Sequence, residues 1–230
     1  MGFLTVVELV CSCLSIAGAT ILVAATFASK KAYDSDNTGC SSKCPLYSKF
    51  TFKDGFSIEC GKKGVCDTAL FAGFAALATA VLFVVQLILV FIHERRSGQD
   101  GKLSRVRCLT FPKMLLSILC VVILLGIAIM VSAGVALYCD SQESAWKTAA
   151  KKSGVDVDFP GCRKMDETLR IGLDKWPENG FLTMEVMLAG GWIMFVSWLV
   201  IMIINIIEYH RRRRAYTIDF NELKDSTTYT

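Results

Sequence analysis

The sequence predicts an all-α membrane protein, a four-transmembrane-helix bundle with two disulfide-tied extracytoplasmic loops. Three observations carry that fold class. The apolar residues, 53% of 230, are gathered into four long runs rather than scattered along amphipathic elements. The basic residues crowd into the connections on one side of those runs. The connections on the other side hold an even number of cysteines.

The runs cover 3–28, 69–92, 114–138 and 181–207. Each supplies the roughly 20 apolar residues that carry a helix across about 30 Å of hydrocarbon. Helix is required because an unpaired backbone group in lipid costs several kcal/mol and only helices or closed barrels pair them all. A barrel needs many alternating segments, and these runs do not alternate. The first run is read as a span and not a signal peptide, since no Lys or Arg precedes it and its apolar stretch exceeds a signal core. Residues 1–210 therefore form the transmembrane domain, and 211–230 a basic tail expected to be disordered.

Threading follows from charge. The 93–113 connection and the segment 210–230 hold 11 Lys and Arg in 42 positions, against 14 in the 82 positions of the loops 29–68 and 139–180, where 13 acidic residues balance them. The positive-inside bias places 93–113 and both termini in the cytosol, with the two long loops outside. The chain is thus expected in the plasma membrane or a secretory-pathway membrane. The net charge of +4 becomes a topology signal, with no nucleic-acid partner implied. The run Arg211, Arg212, Arg213 and Arg214 is read as a headgroup-facing cluster able to meet anionic lipid, in preference to a specific partner motif.

On that topology the cysteines sort by compartment. Cys40, Cys44, Cys60 and Cys66 fall in the first outer loop, and Cys139 and Cys162 in the second. Six thiols on an oxidising side are disulfide candidates with 15 connectivities. Locality favours Cys139–Cys162 and two bridges among the other four, while Cys66–Cys139 between the loops stays open. Zinc is disfavoured because neither loop contains histidine. Of the remaining thiols, Cys11, Cys13 and Cys120 lie in spans, and Cys108 beside the basic connection is a palmitoylation candidate, with an unmodified thiol as the plainer reading.

Small residues mark the expected helix contacts: Ala72, Ala76 and Ala80 beside Gly73; Gly126, Ser132 and Gly134; Gly190 and Gly191; Gly18 with Ala24 and Ala28. Polar groups inside the spans are few. Glu8 and Glu185 lie near enough to the interfaces to be solvated, while Gln86 and Asn205 are expected to hydrogen-bond between helices. No HExxH, GxSxG, Walker or Rossmann pattern occurs, so neither an enzyme nor a cofactor is expected. The function expected is that of an accessory or organising subunit binding other integral membrane proteins, with a small oligomeric channel or transporter using Glu8, Gln86 and Glu185 as the alternative.

Short motifs in order along the chain resemble the transmembrane protein 179 family of four-pass membrane proteins. They are Cys11 with Cys13, Gly39–Cys40 through Cys44-Pro-Leu-Tyr47, Cys66 before the second span, and Val131-Ser-Ala-Gly134 running into Tyr138-Cys139-Asp140 with Cys162 after it. Gly191-Trp192, Ser197-Trp198 and Glu208-Tyr209-His210 complete the set. The resemblance implies the four-pass topology and the ectodomain cysteines and lends no active site. Claudin-like and calcium-channel gamma-type tetraspans are architectural rivals, distinguished by a Gly-Leu-Trp in a first loop that here has no tryptophan, and tetraspanins by a Cys-Cys-Gly that is absent.

Overall fold

The computed structural model describes residues 3–33, 44–52, 56–96, 102–154, 158–172 and 180–227. The order is α1 (Phe3–Tyr33), β1 (Cys44–Phe52), β2 (Phe56–Gly61), α2 (Lys63–Arg96), α3 (Lys102–Ser153), α4 (Cys162–Gly172) and α5 (Gly180–Thr227). Four of the helices are long and apolar enough to cross a membrane, over Phe3–Lys31, Lys63–Leu89, Phe111–Ser153 and Gly180–Arg211. The protein is a membrane bundle of four helices that carries two fully described disulfides.

The first and last spans form the centre. α1 packs against α5 and α2, and α3 packs against α5, while α2 and α3 touch little. The buried side of α1 follows the helical repeat through Glu8, Cys11, Ser15, Ala19, Leu22 and Thr26. Where α1 crosses α5 the backbones nearly meet: a Cβ on Gly190 would lie 2.9 Å from the Gly18 carbonyl oxygen, and one on Gly18 3.0 Å from that of Gly190. Gly191 faces Ala128 of α3, and Gly73 of α2 faces Val23 and Leu22 of α1. Ala72, Ala76 and Ala80 are buried as their spacing suggests. Two buried hydroxyls of α1 return their protons to the preceding turn, Ser12 to the Glu8 carbonyl at 2.8 Å and Thr26 to that of Leu22 at 2.7 Å, so they cost little in lipid, whereas those of Ser15 and Ser29 make no hydrogen bond among the described residues.

Three expectations change. Gly126 is exposed with open space around its Cα, and Ala24 and Ala28 also face outward; Ala25 and Ser29, one position along, take the buried side of α1. Spacing finds a stripe of small residues but leaves its phase undecided, and packing against α5 selects the phase. The loops are also more regular than expected. β1 and β2 form an antiparallel hairpin, pairing Lys49 with Glu59 and Phe50 with Ile58, and α3 continues to Ser153 instead of ending near 138. A helix of 52 residues is roughly 78 Å long, far more than the bilayer, so its end stands clear of it. Finally, α5 runs as helix to Thr227, through the segment expected as a tail from 211; no Gly or Pro interrupts 192–227.

The α1–α5 crossing should be the packing site most sensitive to added volume. Gly190→Ala is expected to destabilise by about 1–3 kcal/mol through overpacking. Gly126→Ala should be neutral or stabilising by about 0.4–1 kcal/mol, as the lipid-exposed site has room for a methyl group. Thermal unfolding of the two variants in one detergent compares them directly, and equal shifts would rule out the close crossing.

Candidate functional site in a disulfide-tied cap and a buried polar layer

Polar and aromatic side chains concentrate at two levels, a cap over one end of the bundle and a layer inside the other. The cap starts at β1. Between Cys44 and Lys49 the strand register shifts, and Tyr47 there has φ 64°. Such a backbone costs a bulky residue about 1–3 kcal/mol and persists only where surrounding contacts hold it. Those contacts are present. Leu46 is fully buried, the Tyr47 hydroxyl donates to the Met130 carbonyl of α3 at 2.9 Å, and both side chains lie over Gly134, about 3.1 Å from where a Cβ would sit. Gly134 thus receives the hairpin, and not another helix as its spacing suggested.

The far end of α3 anchors the rest. Tyr138 is fully buried, edge-on to Phe50 with centroids 5.0 Å apart and stacked with Phe181 at 6.1 Å. Its hydroxyl donates to Asp166 Oδ1 of α4 at 3.4 Å, and Asp166 Oδ2 accepts the Phe181 backbone N–H at 3.2 Å. A carboxylate so placed satisfies a free N–H in the first turn of α5 and favours its positive end. The Ser141 hydroxyl lies 2.9 Å from the Tyr138 carbonyl of its own helix and 3.2 Å from the Ser48 carbonyl, sharing its proton between α3 and β1.

Two disulfides close the cap. Cys44 is bonded to Cys66, joining β1 to α2, and Cys139 to Cys162, joining α3 to α4. Cys60 is also disulfide-bonded, its partner lying outside the described residues, as does Cys40. Lys30 of α1 pairs with Asp67 of α2 at the same level. Sequence reasoning missed Asp166, Tyr47 and the hairpin. The alternation Ser48-Lys-Phe-Thr-Phe52 before Asp54-Gly55 was a hairpin signal; Asp166 had none, because its role depends on where α5 starts.

At the opposite end Glu8 is 1% exposed and ion-paired with Lys113 of α3, so it is not solvated as its position suggested. The Lys113 ammonium lies 5.4 Å from the Phe83 ring centroid of α2, and Phe83 meets Trp198 of α5 edge-on at 5.1 Å. One residue from each span therefore meets in a single layer. Pairing is what makes the charges tolerable, since isolated they cost several kcal/mol in the bilayer. Asn205 is buried in α5 with neither amide atom hydrogen-bonded among the described residues, so the interhelical bond expected of it is not made; Gln86 and Glu185 are half-buried. Arg211, Arg213 and Arg214 are exposed, and the side chains of Cys108 and Arg212 lie outside the described residues.

With this geometry in view, comparison with protein-family models matches residues 4–228 to the Transmembrane protein 179/179B Claudin domain. The chain belongs to this family. Comparison with curated proteins and with solved structures returns no match. The claudin-type domain thus accommodates a first loop without tryptophan, and that absence does not set the chain apart from it. The motifs that resembled the transmembrane protein 179 family meet in space: Cys44-Pro-Leu-Tyr47 lies over Gly134, Tyr138-Cys139 joins Cys162, and Trp192 Nε1 donates to Ser132 Oγ at 3.2 Å.

A double-mutant cycle reads the inner layer. Lys113→Met should cost about 3–5 kcal/mol by leaving Glu8 buried and uncompensated, whereas Glu8→Gln with Lys113→Met should recover most of that. Unfolding midpoints in detergent give the coupling. Additive losses would show that the two charges do not interact.

Proposed function

We propose that the protein is a non-enzymatic accessory or organising subunit that binds other integral membrane proteins. The observation that carries this reading is where its polar interactions go. Tyr47 to Met130, Ser141 to Ser48, Tyr138 and Phe181 to Asp166, and two disulfides all hold a shaped cap on the bundle. The outward face of the hairpin presents Lys49, Thr51, Ser57 and Glu59, and α4 presents Arg163, Lys164 and Glu167. A fixed polar surface standing off the bilayer is suited to recognition, because little ordering entropy is lost on binding. The commitment of Glu8 to Lys113 favours this reading over a small oligomeric channel or transporter, which would want that carboxylate available.

In this reading the cap faces the extracytoplasmic side, in the plasma membrane or a secretory-pathway membrane, and both termini face the cytosol. Disulfides belong to oxidising compartments and arginine runs to cytosolic ends. Cys40 is then the partner of Cys60, and Cys108, on the cytosolic side, stays out of the bridges and open to palmitoylation. Non-reducing peptide mapping should find Cys40–Cys60 beside the other two; a bridge to Cys108 would overturn the orientation.

Crosslinking in native membranes followed by capture in mild detergent should recover a reproducible integral membrane protein. That protein should be lost when Arg163 and Lys164 are both changed to Glu, with the disulfides intact. A monodisperse lone monomer would defeat the accessory role, and capture indifferent to the α4 substitutions would defeat recognition by the cap.

A further inference from the structure

The four spans divide into two pairs. α2 packs on α1 and α3 packs on α5, while α2 and α3 touch little, so the pairs meet mainly along the α1–α5 seam. Gly18 and Gly190 hold the middle of that seam at backbone distance. At the outer end β1 ties the pairs together, bonded to α2 through Cys44–Cys66 and to α3 through the Tyr47 hydroxyl. Below the crossing the links run through side chains: Glu8 of α1 with Lys113 of α3, Lys113 beside Phe83 of α2, and Phe83 against Trp198 of α5.

This inner half of the seam buries polar groups that it does not satisfy. Trp198 and Asn205 lie seven residues apart on α5, and Glu8 and Ser15 seven apart on α1, so each pair shares one helix face. Gly18 lies against Met194. Counted from there at 1.5 Å per residue, Ser15 is level with Trp198, and Glu8 with Asn205, to within about 2 Å. Ser15, Trp198 and Asn205 are no more than 1% exposed. The Ser15 hydroxyl, the Trp198 indole N–H and both amide atoms of Asn205 have no hydrogen-bond partner among the described residues and no surface open to water. Their desolvation is uncompensated for as long as the helices stay closed. Asn205 stands about 3 Å from the end of the apolar run at 207, so a small parting of the helices hydrates it.

We infer that the α1–α2 and α3–α5 pairs part at their inner ends, pivoting on the Gly18–Gly190 crossing, so that water reaches Asn205, Trp198 and Ser15. The Glu8–Lys113 ion pair is the latch, since it joins α1 to α3 across the seam. Opening exchanges van der Waals contact between helices for hydrogen bonds to water. Local openings of this kind occur in the least stable part of a fold while the rest stays folded. The inner end is then the movable part of the molecule and the disulfide-tied cap the fixed one. The inference does not rest on the accessory role.

Cys11 reports the opening. It is a free thiol buried on α1 between Glu8 and Ser15. The experiment uses the full chain in lipid nanodiscs, with Cys13, Cys108 and Cys120 changed to Ala. A membrane-impermeant methanethiosulfonate should label Cys11 faster than an impermeant phosphine reduces the fully buried Cys44–Cys66 bridge, which reads loss of the cap. Asn205→Leu removes the unpaired amide and should slow labelling about tenfold. Trp198→Phe, which keeps a ring against Phe83, should slow it as well. Lys113→Met leaves Glu8 wanting water and should quicken labelling at least about tenfold, and adding Glu8→Gln should restore the slower rate. Labelling no faster than bridge reduction, no slowing in either the Asn205→Leu or the Trp198→Phe variant, or a Lys113→Met rate equal to the parent's would each overturn the proposal.

Discussion

The close crossing of α1 and α5 is the contact on which the rest of the molecule depends. In lipid there is little hydrophobic drive to bring helices together, so association relies on van der Waals contact and on how closely backbones approach. Gly18 and Gly190 let the first and last spans meet at backbone distance. Once they do, α2 has only the outer flank of α1 to pack on, and α3 the flank of α5. The same crossing sets Glu8 at the depth where Lys113 reaches it, with the Phe83 ring beside the ammonium and Trp198 against Phe83.

The two polar levels solve different problems. Inside the bilayer, Glu8 and Lys113 neutralise each other among aromatic rings, a combination that is costly to disrupt from one side and contributes little net stability as a whole. At the cap, hydrogen bonds and disulfides work where water competes, and they order a hairpin that two strands alone would not stabilise. Tyr47 links the levels of description: its unfavourable backbone is held because its ring and hydroxyl reach α3, and that reach needs the small Gly134 beneath it.

Much of the fold was legible in the chain because bilayer thickness is a one-dimensional constraint. The four spans could be counted from apolar run length, and the thiols sorted by the loops between. Phase and partner were not legible. Gly134 and Gly126 are both small and lie in one span, yet one receives the hairpin and the other faces outward. Glu8 looked solvated because depth alone was considered, and its pairing required knowing that α3 places Lys113 opposite. Asp166 carried no local signal, since its value lies in the unpaired N–H at the start of a helix 15 residues away.

By itself the sequence determined that this chain crosses a bilayer four times and concentrates cysteine in two loops and arginine at the other end. Those features follow from solvation and composition, which act residue by residue. Tertiary structure decided which small residues touch, that Cys44 joins Cys66 and Cys139 joins Cys162, and that a hairpin and an overlong α3 make the cap. The reason is that backbone contact between helices fixes rotation and register together, and neither is encoded in any single span.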